Sequence, residues 1–190
     1  GRDISTATIG QRVALGLART FQTTSLFPEF SLLDQVLLGA HTRFDTKAAQ
    51  AIFRTKSYRQ EDAAQRERAA DLLEFMGLLS VAHAPASAIS SAQQRLLMVA
   101  TALATEPRVL LLDEPAAGMV AKERAELSEI ILRIRDRGVA VLVIEHHMGL
   151  IMEVCQRIAV LNFGQKIADG TPSQVRADPA VIDAYLGTEH

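Results

Sequence analysis

One short run of residues, Arg108–Pro115, constrains the fold more than any other part of the chain. Its apolar residues Val109–Leu112 end abruptly in two adjacent carboxylates, Asp113 and Glu114, and a proline follows. A continuously apolar strand is typical of a parallel sheet that is covered on both faces. Ligands of such sheets bind where the strands end at their carboxyl edge, so the two acids are predicted to lie at a binding site. For this run alone, a core strand that enters an ordinary acidic turn is an equally good interpretation.

Polar residues stand in a fixed order around this strand. Ala18–Gln22 lie far upstream with the sequence ARTFQ, and Ser90–Gln93 open a helix that ends near Pro107. Downstream, a second apolar strand, Val139–Ile144, is followed closely by His146. Each of these motifs is weak alone, but their order and spacing together are specific.

The ordered set resembles the nucleotide-binding domain of ABC transporters, and particularly the ATP-binding subunits of branched-chain amino-acid importers. The runs ARTFQ (18–22), VLLLDEPAAGM (109–119) and IADGTPSQVRADPAVIDAYLG (167–187) carry the similarity. The resemblance extends over essentially the whole chain, from Gly1 to Gly187. It implies an α/β fold of the P-loop NTPase type, with a parallel sheet core and an all-helical subdomain. The implied division is a Q-loop segment of the core at 1–30, the helical subdomain at 31–106 and the α/β core at 107–190.

The resemblance also implies roles for individual residues around ATP and Mg²⁺. Glu114 is expected to polarise the water that attacks the γ-phosphate, and Asp113 to bind Mg²⁺ through water. His146 is expected to hydrogen-bond the γ-phosphate and the attacking water. Gln22 is expected to contact the metal or the water and to report the nucleotide state to the membrane subunit.

In the family, the residues that match Ser90, Ser91, Ala92 and Gln93 act on the nucleotide held by a second ATP-binding subunit, packed head to tail. A helix N-terminus suits an anion because its amides are unpaired and its dipole is positive there. Ala92 departs from the usual glycine, and a positive φ at this position would cost about 1–2 kcal/mol. Val120 departs from the usual polar residue. Both departures weaken the expectation of efficient hydrolysis.

No G-x-x-x-x-G-K-[ST] motif occurs in the 190 residues. This loop supplies the amide cradle and the lysine for the phosphates in proteins of this kind. The chain is therefore interpreted as a C-terminal piece of a longer subunit, truncated on the N-terminal side of its sheet and inactive alone. We expect the strands beside the Asp113 strand to be missing, which would leave an unpaired, apolar, aggregation-prone sheet edge.

Composition excludes some classes of function. The net charge of −2, from 20 basic and 22 acidic residues, gives no reason to expect nucleic-acid binding. No apolar run approaches the roughly 18 residues that span a bilayer. The single cysteine, Cys155, forms no internal disulfide and favours a cytoplasmic protein. Membrane association is therefore expected through ABC transmembrane permease subunits, with the protein peripheral on the inner face.

The leading hypothesis is an ATPase subunit that drives uptake of branched-chain amino acids or a similar small solute. The alternative is a non-catalytic, degenerate domain that acts in assembly or regulation through a partner. The missing phosphate loop, Ala92 and Val120 favour the alternative. A soluble ABC-type ATPase of translation or DNA repair is less well supported, because the chain shows no coiled-coil heptads.

Overall fold

The structure is a computed structural model that describes residues 3–20, 26–43 and 55–186. These residues form two compact units, Gly1–Ile144 and Glu145–His190. The helices of the first unit are α1 (Ile9–Ala14), α2 (Leu32–Gly39), α3 (Lys56–Phe75), α4 (Ser91–Leu103) and α5 (Ala121–Asp136). Its strands are β1 (Leu17–Arg19), β2 (Val109–Asp113) and β3 (Ala140–Ile144), and short 3-10 turns lie at Ala40–Arg43, Leu79–Val81 and Ala86–Ala88. The division at residues 30 and 106 stays a prediction.

The three strands of the first unit form a parallel sheet in the order β1-β2-β3. Asp113 pairs with Ile144 in the register between β2 and β3, and Arg19 pairs with Leu111 between β1 and β2. The apolar run thus forms the central strand, with a partner on each side. The expectation of an unpaired edge beside it is wrong, because the chain turns at Gly16 and Leu17–Arg19 join the sheet as β1.

The two faces of this sheet differ in burial. Ala18, Leu110 and Leu112 are buried on the face against which helix α4 packs. On the other face, Val109, Leu142 and Ile144 are exposed to 36%, 54% and 53%. The expectation that both faces are covered is therefore wrong for the residues that the structure describes. A continuously apolar strand indicates that both faces of its sheet are covered. The residues of the strand do not specify, however, which other segment would cover the second face.

Helix α2 packs closely on α3 and α4 to form a helical layer. Ser31 caps α2 by accepting a hydrogen bond from the amide of Asp34, and this bond fixes the start of the helix. The fully buried side chains of this layer include Leu32, Val36, Leu73 and Leu97. Gly39 lets α2 and α4 approach so closely because it has no side chain: an ideal Cβ there would lie 2.3 Å from the Thr101 carbonyl oxygen.

The second unit contains α6 (Met148–Val154), β4 (Ile158–Asn162), β5 (Gln165–Gly170), α7 (Pro172–Arg176) and α8 (Pro179–Leu186). Strands β4 and β5 form an antiparallel hairpin. Thr171 caps α7 through a capping box in which its partner is Gln174. A small core of Ile151, Ile158, Ala168, Val175 and Val181 joins the hairpin to the helices. The predicted α/β class with a parallel sheet is confirmed.

Candidate functional site at the carboxyl end of the central strand

Asp113 is the last residue of β2, at the carboxyl edge of the sheet. Its Oδ2 atom accepts a hydrogen bond of 2.8 Å from the guanidinium of Arg19, which lies on β1. The Asp113 side chain keeps 19% of its surface exposed. Its backbone amide donates to the Thr20 hydroxyl at 3.4 Å, and the Thr20 amide donates to the Leu111 carbonyl at 2.9 Å. The two strands thus hold one accessible carboxylate at the sheet edge.

Glu114 leaves the strand in a left-handed backbone conformation, with φ of 45°. Such a conformation is uncommon for a residue with a side chain and costs of order 1–3 kcal/mol, so other contacts must hold it. Its amide donates to the Ile144 carbonyl at 2.9 Å. Its carbonyl accepts from the Arg95 guanidinium at 3.3 Å and from the Ala117 amide at 3.2 Å. Strand β3, helix α4 and the following turn therefore fix this backbone.

The Ser90–Gln93 segment forms the start of α4 with a reciprocal capping box. The Ser90 hydroxyl accepts from the Gln93 amide at 3.2 Å, and the Gln93 side-chain oxygen accepts from the Ser90 amide at 3.0 Å. Ala92 lies in the first turn of the helix and is buried to 7% exposure. Its φ is not positive, so the strain that a side chain causes at a positive φ does not apply to Ala92.

A cavity of about 430 Å³, which we call the Ser90 cavity, joins this helix start to the turn that follows Glu114. Its walls are Ser90, Ala92, Gln93, Leu96, Met119, Val120, Lys122, Glu123 and Glu126. Val120 begins α5 and is 62% exposed, while Met119 is 5% exposed. The Val120 amide donates to the Glu123 carboxylate at 2.9 Å, so the acidic side chain replaces the cap that valine lacks. Two segments singled out in the sequence thus share one surface.

The remaining predicted catalytic and metal-binding residues are Gln22 and His146. Gln22 lies outside the described residues. His146 belongs to the second unit, two positions after the end of β3, and its ring stacks on His147 at 5.1 Å between centroids. The His146 amide donates to the Glu145 carboxylate at 3.1 Å. Asp113 and Glu114 lie at the carboxyl end of β2, and the roles of Asp113, Glu114, Gln22 and His146 stay predictions.

The sequence analysis missed three residues that support the acids. The Arg19 guanidinium donates to the Asp113 carboxylate, and the Thr20 hydroxyl accepts from the Asp113 amide. The Arg95 guanidinium donates to the Glu114 carbonyl. Arg19 and Thr20 stand inside the ARTFQ run, so the signal was present but was assigned only to Gln22. Arg95 sits one turn after the capping box, where nothing in the pattern indicates a contact with a strand end.

The Asp113 carboxylate is the kind of ligand that Mg²⁺ accepts in proteins, where the ion binds one or two carboxylates and completes its shell with waters and phosphate oxygens. Within the described part of the chain, no three His, Cys, Asp or Glu side chains come together as a metal site. No helix within residues 3–20, 26–43 and 55–186 combines the length and apolar character needed to span a membrane.

Comparisons with known proteins decide the family. A family profile described as ABC transporter matches residues 1–117. The chain belongs to the ABC transporter family. A profile described as branched-chain amino acid ATP-binding cassette transporter matches residues 165–190. The high-affinity branched-chain amino acid transport ATP-binding protein LivG of Escherichia coli K12 is 41% identical over 180 residues, which are 94% of this chain and 71% of LivG.

Other members of the ABC transporter family give the same result. The corresponding protein BraF of Pseudomonas aeruginosa is 40% identical over 180 residues, or 94% of this chain and 71% of BraF. The structure of MJ1267, an ATP-binding cassette of an ABC transporter in its ADP conformation, superposes with a TM-score of 0.80. It is 27% identical and covers 98% of this chain and 74% of MJ1267. The chain is thus an ABC-type ATP-binding subunit with the ATPase fold, as its sequence predicts.

Proposed function

We propose that this ATP-binding subunit couples ATP hydrolysis to the uptake of branched-chain amino acids or a similar small solute. The Asp113–Glu114 pair at the carboxyl end of the central strand carries the proposal, because ligands of parallel sheets bind at this edge. The identity to LivG and BraF, both named for branched-chain amino acid transport, supports the choice of solute.

In this proposal Glu114 orients and polarises the water that attacks the γ-phosphate. The Glu114 backbone donates a hydrogen bond to β3 and accepts one from Arg95. These bonds support the role, because a general base acts efficiently only when its position is fixed. Asp113 and Gln22 would hold Mg²⁺, and Arg19 forms an ion pair with Asp113. When bound, Mg²⁺ neutralises charge on the phosphate oxygens. His146 would hydrogen-bond the γ-phosphate.

A second ATP-binding subunit would cover the Ser90 cavity, packed head to tail. Ser90, Ser91, Ala92 and Gln93 would then face the nucleotide held by that subunit. The 62% exposure of Val120 at the rim supports burial against a partner, since an exposed valine gains free energy on being covered. Ala92 has a helical backbone, so alanine in place of the family's usual glycine causes no backbone strain. This also supports function of the segment.

Transmembrane permease subunits would dock on a second surface, which we call the α1–α2 groove. It has a volume of about 500 Å³, and its apolar rim is formed by Ile9, Phe27 and Leu38, which are 82%, 51% and 43% exposed. Thr20 and Leu26, the residues on either side of the segment that holds Gln22, also line it. A partner seated there would contact Thr20 and Leu26, which flank in the sequence the predicted reporter of the nucleotide state. Docking of this kind would place the protein peripherally on the inner face of the membrane.

The 190 residues alone should bind ATP weakly, because they contain no phosphate loop. A non-catalytic role in assembly or regulation is the second candidate function, and the same missing loop favours it. Equilibrium binding of fluorescent ATP to the isolated chain tests the expectation that the 190 residues bind ATP weakly. Binding in the micromolar range would show that other residues replace the loop.

The decisive test measures ATP turnover by the assembled transporter that contains this sequence. Glu114→Gln should lower kcat by at least about 100-fold, since general-base catalysis contributes roughly 10²–10⁴-fold. Glu129→Gln, the same change on an exposed position of α5, is the matched control and should leave kcat unchanged. Equal turnover of the wild type and Glu114→Gln would exclude the enzymatic proposal and favour the non-catalytic one.

A further inference from the structure

The first unit contains another cavity, which we call the rear cavity, at the opposite edge of the sheet from Asp113. Its volume is about 500 Å³, and it is lined by residues of α2 and α3 and by the segments just before β2 and β3. Pro107 and Val139 line it, and they precede the first residues of those strands. Because β2 and β3 are parallel, the rear cavity lies at their amino ends and Asp113 at the carboxyl end. A strand of this length separates the two sites by about 16 Å.

The walls of the rear cavity are mainly apolar. They are formed by Val36, Ala69, Leu72, Leu103, Ile134 and Val139. Small-molecule sites typically have volumes of about 300–1,000 Å³, with apolar walls and a few placed polar groups. The rear cavity has this size and this kind of wall.

One nearly buried polar side chain lies in the wall. Gln65, on α3, is only 7% exposed and lines the cavity. Its amide atoms are not among the fully buried side-chain atoms without a partner, so they are open to a molecule in the cavity. A polar group in a mainly apolar wall typically fixes the orientation of a bound molecule, and Gln65 is placed to do this.

The charged residues of the rear cavity are balanced. Arg68 and Glu106 form an ion pair of 3.4 Å and so neutralise one another. Asp71 and Arg137 contribute one further negative and one further positive charge. The Arg137 guanidinium stacks on the Phe75 ring, 3.8 Å from its centroid, and this contact uses none of its N–H donors.

We propose that the rear cavity binds a small zwitterion with an apolar side chain, that is, an apolar amino acid. Its carboxylate pairs with Arg137, its ammonium pairs with Asp71, and its apolar group lies against Leu72, Leu103 and Ile134. The Gln65 amide binds the carboxylate or the ammonium. The site joins helices α3, α4 and α5, so its occupation stabilises the first unit by mass action.

The test uses L-leucine and L-phenylalanine as probes in isothermal titration calorimetry and thermal unfolding of the chain. Both probes should bind saturably and raise the unfolding midpoint. Isocaproate lacks the ammonium, isoamylamine lacks the carboxylate, and glycine lacks the apolar group. Each of these three compounds should bind at least about tenfold more weakly, because each lacks one of the three groups that the cavity recognises.

Two arginines provide a matched pair of variants. Arg133 also stacks on the Phe75 ring, at 4.2 Å from its centroid, but it does not line the rear cavity. Arg137→Gln should weaken leucine binding at least about tenfold, whereas Arg133→Gln should leave it unchanged. Gln65→Leu should also weaken binding while the unliganded fold becomes no less stable, which separates lost recognition from misfolding.

Several outcomes overturn the proposal. One is the absence of saturable binding at about 10 mM of either probe, where a Kd of about 1 mM would already give near saturation. Equal loss of binding in Arg133→Gln and Arg137→Gln is another, because it would indicate a general effect of charge. Equal binding of leucine and isocaproate would exclude recognition of a zwitterion. None of these measurements involves ATP, so their failure is distinguishable from failure of the proposed function.

Discussion

Gly39→Ala should loosen the helical layer that carries the Ser90 segment. Gly39 ends α2 where the helix crosses α4, and the structure has no room for a side chain there. An ideal Cβ would lie 2.3 Å from the Thr101 carbonyl oxygen and 2.8 Å from its Cγ2 atom. Cβ atoms essentially never approach other atoms within 3.0 Å, so the helices must separate by at least about 0.7 Å.

The cost of this separation sets the expected magnitude. Overpacking by one methyl group typically costs about 1–3 kcal/mol. Alanine recovers up to about 1 kcal/mol through its higher helix propensity, and less at the end of a helix. The net loss of stability should therefore be about 1–2 kcal/mol. For a chain of this size, that loss lowers the melting temperature by roughly 2–8 °C.

Urea unfolding followed by circular dichroism measures this loss. Gly10→Ala is the matched control, because Gly10 lies in α1 and an ideal Cβ there has no atom within 4 Å. The control should gain about 0.5–1 kcal/mol, as alanine does when it replaces an exposed helical glycine. If Gly39→Ala is as stable as the wild type while Gly10→Ala behaves as expected, α2 and α4 are not as close at Gly39 as the structure shows.

Two further changes test other contacts. Gln35→Leu should destabilise the first unit by about 1–3 kcal/mol in urea unfolding, because the buried Gln35 amide donates to the Phe27 carbonyl and leucine leaves that oxygen unpaired. In the second unit, hydrogen bonds from Arg157 and then Lys166 lower the pKa of Asp169 from 3.8 to about 2. A depressed carboxyl pKa stabilises the fold above the unfolded pKa, so stability should fall as the pH drops from 3.8 to about 2. Asp169→Asn should remove this dependence in acid-unfolding curves, and an unchanged curve would refute the assignment.

Local chemistry explains why much of the fold was predictable. The apolar run that ends in Asp113 predicts a strand and a site at its carboxyl end, because both follow from the residues of the run itself. The capping boxes at Ser90 and Thr171 are local in the same way, since each hydrogen bond joins residues three positions apart. The ordered motifs predict the family, and the comparisons confirm it.

Contacts between distant parts of the chain could not be predicted in this way. Leu17–Arg19 show no strand pattern of their own, and only pairing with β2 makes them a strand. The ion pair of Arg19 with Asp113 joins residues 94 positions apart. Arg95 donates to the Glu114 carbonyl from helix α4. The rear cavity and the place of Gln65 in its wall depend on where several helices end relative to one another.

The sequence by itself determined the class of protein, the element types and the two acids at a strand end, because these depend on neighbouring residues. The tertiary structure alone decided which side chains hold those acids in place. It also decided that the central strand has a partner on each side, while one face of its sheet stays exposed. Side-chain partners and burial arise when segments far apart in the chain come together, and no local pattern encodes that geometry.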